Sequence, residues 1–337
     1  MTNRQAILDL FSKKKTTSQP AFSGLIHITT EGLQSEGITL PEAHHDAQKM
    51  ARAAASTYRL TGLPSAALPL DLCAPAEALG AELNFYENGE YRFPQVKRPL
   101  LESTRELALG MIGSPGIGSQ KGRLGIICEA IALVAEDIGR EVVISGSIPG
   151  PYTLLLYICN PNNLFLEMRR EPQMVLEALF NLSTFLSQIG KEYRNAGADF
   201  ITIHDMGGSP GFIGPARYEQ FVYPAEKLLI TELPSPRVLS VCGKTNKSME
   251  LLAQTGAEAI SVDQTNDLAV SRNILTDTLL FGNLDPVATL WDSRPADIAD
   301  AVRAAKEAGV DAIWPGCDLV PQSPIDNIRA MLQSVAK

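Results

Sequence analysis

VLSVCGKTNKSMELLAQTGAEAISVD, residues 238–263, holds one complete structural unit. Val238–Val241 is a short apolar run rich in β-branched residues, and it ends at Cys242. Lys247–Gly256 has helical spacing, and Gly256 suits the left-handed turn that closes a helix. Ala259–Val262 is a second apolar run, and it ends at Asp263. Strand, helix and strand in so few residues predict parallel strands with the helix packed outside them.

The same phrase recurs on both sides. Val142–Ser145 and Phe200–His204 are strand candidates upstream, and Leu279–Gly282 and Ala312–Trp314 downstream. Helical patterns cover Pro172–Ala196, Tyr218–Leu233, Pro295–Gly309 and Ile325–Ala336. AGADF, TGAEA and AGVDA each lead into a strand, with Gly placed to stop the preceding helix. These six strands need two more to close a ring, and the first half offers Gly24–Ile28 and Ala67–Leu70. The expected fold is therefore α/β, a (β/α)8 TIM barrel; a doubly wound open sheet is the runner-up. Residues 81–98 read as a hairpin or an excursion from the barrel, and 110–123 (GMIGSPGIGSQKGR) as a loop over one end. No linker splits the chain, so residues 1–337 are expected to form one barrel domain with an N-terminal helical extension and an excursion near 81–123.

Composition narrows the function. A chain of 337 residues, 45% hydrophobic and 20% charged, has ample material for a core. A net charge of −9 speaks against nonspecific binding to nucleic acid or to an anionic membrane. The N-terminal MTNRQAILDLFSKKK lacks the apolar core of a signal peptide, and no run is long enough to span a bilayer. Five cysteines, an odd number, fit reduced thiols in the cytoplasm.

Parallel barrels carry their chemistry at the C-terminal ends of the strands. Those ends hold Asp71, Ser145 with Ser147, His204 with Asp205, Cys242, Asp263, Asn283 and Cys317. Thiolates select zinc among common cellular metals, and three protein ligands with one open position is the plan of a catalytic zinc. Spacing alone leaves Cys242 and Cys317 open as small packing residues. His204 and Asp205 are adjacent, so a regular strand turns at most one of them into the barrel. Asp71, Asp263 and Asn283 also suit the start of the next helix. His44 and His45 are expected just before a helix capped by Asp46. Residues 113–122 have a P-loop gap between glycines, but Ser119 stands where the lysine belongs, so a tight loop or lid is expected there. Trp291 and Trp314 suggest packing.

Several segments resemble the uroporphyrinogen decarboxylase superfamily over nearly the whole chain: ALPLDLCAPAEALGAELNF (67–85), GPYTLLLYI (150–158), and SVDQTNDLAVSR (261–272) with FGNLDPVATL (281–290). Asp71 stands at the position of the decarboxylases' pyrrole-binding aspartate. Three further segments, ITLPEAHHDAQKMA (38–51), residues 238–263 and WPGCDLVPQSPIDNIRAM (314–331), resemble the methylcobamide:coenzyme M methyltransferase branch. That branch binds zinc through a His-x-Cys pair and a distant cysteine, which Cys242 and Cys317 match. Ser240 occupies the place of the histidine, and a hydroxyl is a poor zinc ligand beside imidazole. His204 is the candidate replacement, with Asp205 in reserve.

The resemblance implies a corrinoid-dependent methyltransferase. A methylated corrinoid on a separate corrinoid protein is the expected donor. The expected acceptor is a small-molecule thiol such as coenzyme M, activated as thiolate by zinc on Cys242, Cys317 and His204. Asp71, His204 and Asn283 are candidates for orienting acceptor or corrinoid. Tetrahydrofolate as acceptor would tolerate a weakened zinc site. Uroporphyrinogen decarboxylation is disfavoured by Cys317, where the decarboxylases carry histidine. It is also disfavoured by the absence of arginine from residues 20–50, because that substrate carries many carboxylates. A non-catalytic corrinoid- or tetrapyrrole-binding protein is the reading outside enzymology.

Overall fold

A computed structural model describes residues 2–14, 19–88, 91–108 and 122–335. Seven parallel strands form one curled sheet: β1 (Ser65–Leu68), β2 (Val143–Pro149), β3 (Phe200–His204), β4 (Arg237–Val241), β5 (Ala259–Val262), β6 (Leu279–Leu284) and β7 (Ala312–Pro315). They lie in chain order, so each strand pairs with the next through an outer helical connection.

The expected eighth strand, Gly24–Ile28, does not form a ladder. The segment stands between β7 and β1, yet the strand-like contact nearby is an isolated bridge between Ala21, ahead of it, and Ile313. The reason lies in where its backbone hydrogen bonds go. Ser23 N–H is taken by Ser65 Oγ at 3.0 Å, Leu25 N–H by Ser23 Oγ, and Ile26 N–H by Asp318 Oδ1 at 2.9 Å. Side chains replace the neighbouring strand as partners, and the ring closes without a regular strand. The overall architecture is the TIM-barrel type.

Two faces organise the packing. Alternation puts every second strand residue on the inner face. At the N-terminal end of the strands, Val143, Phe200, Val238, Ala259, Phe281, Ala312 and Trp314 form one buried cluster. Ile7, Leu10 and Phe11 of the helix Asn3–Phe11 join them, as do Phe22 and Leu25. The aromatic rings interlock, with centroids 5.0 to 6.4 Å apart. Counting in twos from this floor, the inner face rises through Ser145, Thr202, Ser240 and Ser261. It reaches Ser147, His204, Cys242 and Asp263 at the strand ends. Ser145 Oγ bonds Thr202 Oγ1 at 2.8 Å and donates to Gly24 O. The other face carries Ile144, Ile201, Leu239, Ile260, Leu280 and Ile313 into the main core against the helices.

Most strand expectations hold to within a residue at their starts. β1 is the exception, lying two residues before the expected Ala67–Leu70, because Pro69 has no N–H to offer the ladder. The expected helix Tyr218–Leu233 begins as a π-helical turn, Tyr218–Val222, before the α-helix Tyr223–Glu232. Pro224 sits in the first turn of that helix, where a missing N–H is tolerated. The hairpin within 81–98 is present as antiparallel Leu83–Asn84 and Gln95–Val96. Asp46 caps the helix Ala47–Thr61 as expected; His44 and His45 end the short helix before it. The expected loop at 110–123 lies outside the described residues except for its last two. Among the described residues no helix is long and apolar enough to cross a membrane.

Candidate metal centre

β3, β4 and β7 bring three soft or borderline donors to one point. His204 is the last residue of β3, Cys242 follows β4, and Cys317 lies two residues past β7. Cys242 Sγ and Cys317 Sγ are 3.1 Å apart. His204 Nε2 lies 3.3 Å from Cys242 Sγ and 3.7 Å from Cys317 Sγ. In a tetrahedron, zinc bonds of about 2.0–2.1 Å to nitrogen and about 2.3 Å to sulfur put nitrogen about 3.6 Å from each sulfur, as here, and the sulfurs about 3.8 Å apart, so a bound ion spreads the two cysteines by about 0.7 Å. The donor set therefore fits a zinc ion with a fourth position left for a substrate. Among the described residues this is the one group of His, Cys, Asp and Glu with metal-ligating geometry.

The electrostatics are those of three groups sharing too few protons. Cys242 donates its S–H to Cys317. That bond, working with His204 against the cost of burial, draws the Cys317 thiol well below its ordinary value. The neighbouring Cys317 sulfur and then burial push Cys242 well above it. Burial disfavours a charged His204, yet the Asp318 carboxylate and Cys317 outweigh it, and the imidazole is raised to about 9. Burial lifts Asp318 to about 6 against the pull of His204.

His204 faces inward, and Asp205 turns to the opposite side. There Thr153 Oγ1 donates to Asp205 at 2.6 Å and Gly208 N–H at 2.8 Å. Ser240 pairs in register with His204 on the adjacent strand, and its buried hydroxyl has no partner. Position 240 and position 204 are thus side by side on the inner face. Asp263 accepts the N–H of Gly243, next to Cys242, and both the N–H and the hydroxyl of Thr265. Asn266 donates to Gly243 O at 2.9 Å and accepts Thr245 N–H at 2.8 Å. The loop after β5 thereby clasps the loop that carries Cys242. Asn283 joins this clasp at longer range, donating to Asp263 O at 3.2 Å. It also lines a cavity of about 380 Å³ with Asp267, Leu284 and Ala305, away from the three donors.

Asp71 is built into a different cluster. Both its oxygens take hydrogen bonds from Arg123, Oδ1 also accepts Cys73 N–H at 2.7 Å, and His44 Nδ1 lies 3.2 Å from Oδ2. Arg123 also bonds Glu77. Asp71 and Arg123 are both buried. The Arg123 guanidinium and His44 overcome the burial penalty and hold the Asp71 carboxyl far below the usual carboxylate range.

The chain matches the uroporphyrinogen decarboxylase (URO-D) family model over residues 2–337. The chain belongs to the uroporphyrinogen decarboxylase family. Within that family its place is with the methyltransferases. It is 30% identical to the methylcobamide:CoM methyltransferase MtbA of Methanosarcina acetivorans, over 98% of this chain and 97% of that protein. It is also 30% identical to the methylcobamide:CoM methyltransferase MtaA of Methanosarcina barkeri, over 90% of this chain and 88% of that one. A solved methyltransferase from Methanosarcina mazei superposes with a TM-score of 0.93 at 25% identity, covering all of this chain and 98% of its own. For this family member, sequence reasoning did not single out Asp318 or Arg123. The first carried a signal, a charged residue directly after the cysteine at a strand end. The second did not, since its partner Asp71 is remote in sequence.

Proposed function

We propose that this protein transfers a methyl group from a methylated corrinoid, borne by a separate corrinoid protein, to a small thiol such as coenzyme M. The observation that carries the proposal is the meeting of His204 Nε2 with the sulfurs of Cys242 and Cys317 at the strand ends. The names of the relatives, which pair a methylcobamide with CoM, support it. Cys242, Cys317 and His204 would hold a zinc ion. A zinc bound there lowers the pKa of an incoming thiol so that it reacts as thiolate at neutral pH. The transfer forms an S–C bond and breaks the Co–C bond, with the electron pair of the latter staying on the corrinoid.

The chain's residues supply position and charge. Two thiolates and a neutral imidazole at the metal give the site one net negative charge less than three thiolates would. Asp263 and Asn266 fix the loop that carries Cys242, and Asn283 steadies them from β6. Asp71, tied to Arg123, Cys73 and His44, organises the mouth around β1 and contributes no unengaged oxygen to a pyrrole N–H.

The test combines metal analysis with turnover. Protein purified with added zinc is expected to hold about one ion per chain. It is expected to demethylate methylcobalamin with a thiol from a panel that includes coenzyme M. Zinc-free protein turning over equally fast, or turnover with tetrahydrofolate and with none of the thiols, overturns the reading.

A further inference from the structure

We infer that Asp318 is the positioning residue of the metal centre, holding the His204 ring so that Nε2 presents its lone pair to the ion. This rests on the reading that Cys242, Cys317 and His204 bind zinc. The ring has two nitrogens, and the structure gives each a different neighbour. Nε2 faces both sulfurs, at 3.3 and 3.7 Å. Nδ1 is fully buried without a hydrogen-bond partner, and Asp318 Oδ2 stands 3.6 Å from it. Among the described residues no other acceptor is placed to take its proton. Asp318 is itself anchored, because its Oδ1 accepts Ile26 N–H at 2.9 Å. One carboxylate therefore reaches in two directions, to the backbone of the segment that closes the barrel and to the back of the imidazole. A small inward movement of Oδ2 makes an Nδ1–H···O bond. That bond fixes the tautomer and the ring plane and strengthens Nε2 as a donor.

Position 318 follows directly from Cys317, so ligand and positioning residue travel on one turn. His204 stands where Ser240 is its register neighbour. An imidazole on β3 faces a different back wall from one on β4, and Asp318 supplies that wall. An oxygen on the Ile26 side alone would be a structural tie, and Asn would serve as well. Asp318→Asn separates the two roles, since its Oδ1 keeps the Ile26 bond while its amide N–H groups meet Nδ1–H and cannot accept from it.

The experiment compares wild type, Asp318→Asn, His204→Ala and the double variant. Zinc affinity is measured by chelator competition at matched pH values from 7 to 10, and the variants are compared at each pH. Asp318→Asn is expected to bind zinc about 10- to 100-fold more weakly, with unchanged thermal midpoint and a shifted visible spectrum in its cobalt(II) form. Added to His204→Ala it is expected to cost nothing further. Affinity of Asp318→Asn within about twofold of wild type at every pH, with His204→Ala clearly weakened, overturns the positioning role and leaves the ligand set intact. Unchanged affinity in His204→Ala overturns the ligand set itself. A readout on the unmodified protein guards against a variant that fails to fold: nitrogen NMR of zinc-loaded, histidine-labelled protein. It is expected to show His204 protonated at Nδ1 in slow exchange. A bare Nδ1 would sink the inference.

Discussion

His204 and Cys242 hold protons that a metal ion has to displace. Without metal, His204 titrates near 9, Cys242 well above an ordinary thiol and Cys317 well below. At pH 7.5 the imidazole and Cys242 are protonated. Zinc binding is then expected to release about two protons per ion. The sign follows from the raised His204 and Cys242 values: affinity climbs with pH through about 9 and onward until Cys242 is deprotonated, and it falls as pH drops. Calorimetry in buffers of different ionisation enthalpy counts the protons, and a release near zero would contradict the assignment. The side-by-side register of 204 and 240 gives a second expectation at this scale. Exchanging the two residues, as His204→Ser with Ser240→His, is expected to restore most of the zinc affinity that His204→Ser alone removes. Chelator competition on the three proteins decides it.

At the scale of elements, the segment before Ile28 matters more than its lack of strand pairing suggests. A methyl added at Gly24 would meet Thr202 Oγ1 at 2.2 Å, Phe200 Cε2 at 2.7 Å and Trp314 Cη2 at 2.8 Å. Gly24→Ala is expected to cost about 1–3 kcal/mol, the usual cost of overpacking a core, read as a lower denaturation midpoint. Breaking the Arg123–Asp71 pair should cost more. Arg123→Met leaves a carboxylate buried, at about 3–5 kcal/mol, whereas Arg123→Met with Asp71→Leu is expected to recover much of it. Equal losses in single and double variants would show that the charge is not the cause. These elements also mark how far the sequence could be read. Val238–Val241 and Ala259–Val262 were legible because short apolar runs with β-branched residues, set between charged or polar residues and joined by a helical segment that ends at Gly256, suit neighbouring parallel strands. Gly24–Ile28 was misread as a strand because its backbone partners are the side chains of Ser23, Ser65 and Asp318, and no local pattern announces them. Cys242 and Cys317 were legible as strand-end residues, while their contact with His204 depends on register across β3 to β7, which a linear pattern does not contain.

For the molecule as a whole, conversion of uroporphyrinogen to coproporphyrinogen is expected to be undetectable. The arginines absent from residues 20–50 are not replaced at Asp71, whose own arginine, Arg123, is already engaged. Turnover approaching about 1 per second, an ordinary enzyme rate, would refute this.

The aromatic floor has a kinetic meaning of its own. Phe11, Phe22, Phe200, Phe281 and Trp314 stopper the barrel at one end, so the vessel is loaded and emptied through a single neck. A bulky donor pressed against that neck shuts out whatever has not yet entered. The small thiol must therefore be aboard before the donor docks, and the methylated product departs only after the donor lifts away. Initial-rate patterns should accordingly show a compulsory order with the thiol first, and the methylated thiol should be the last species to leave.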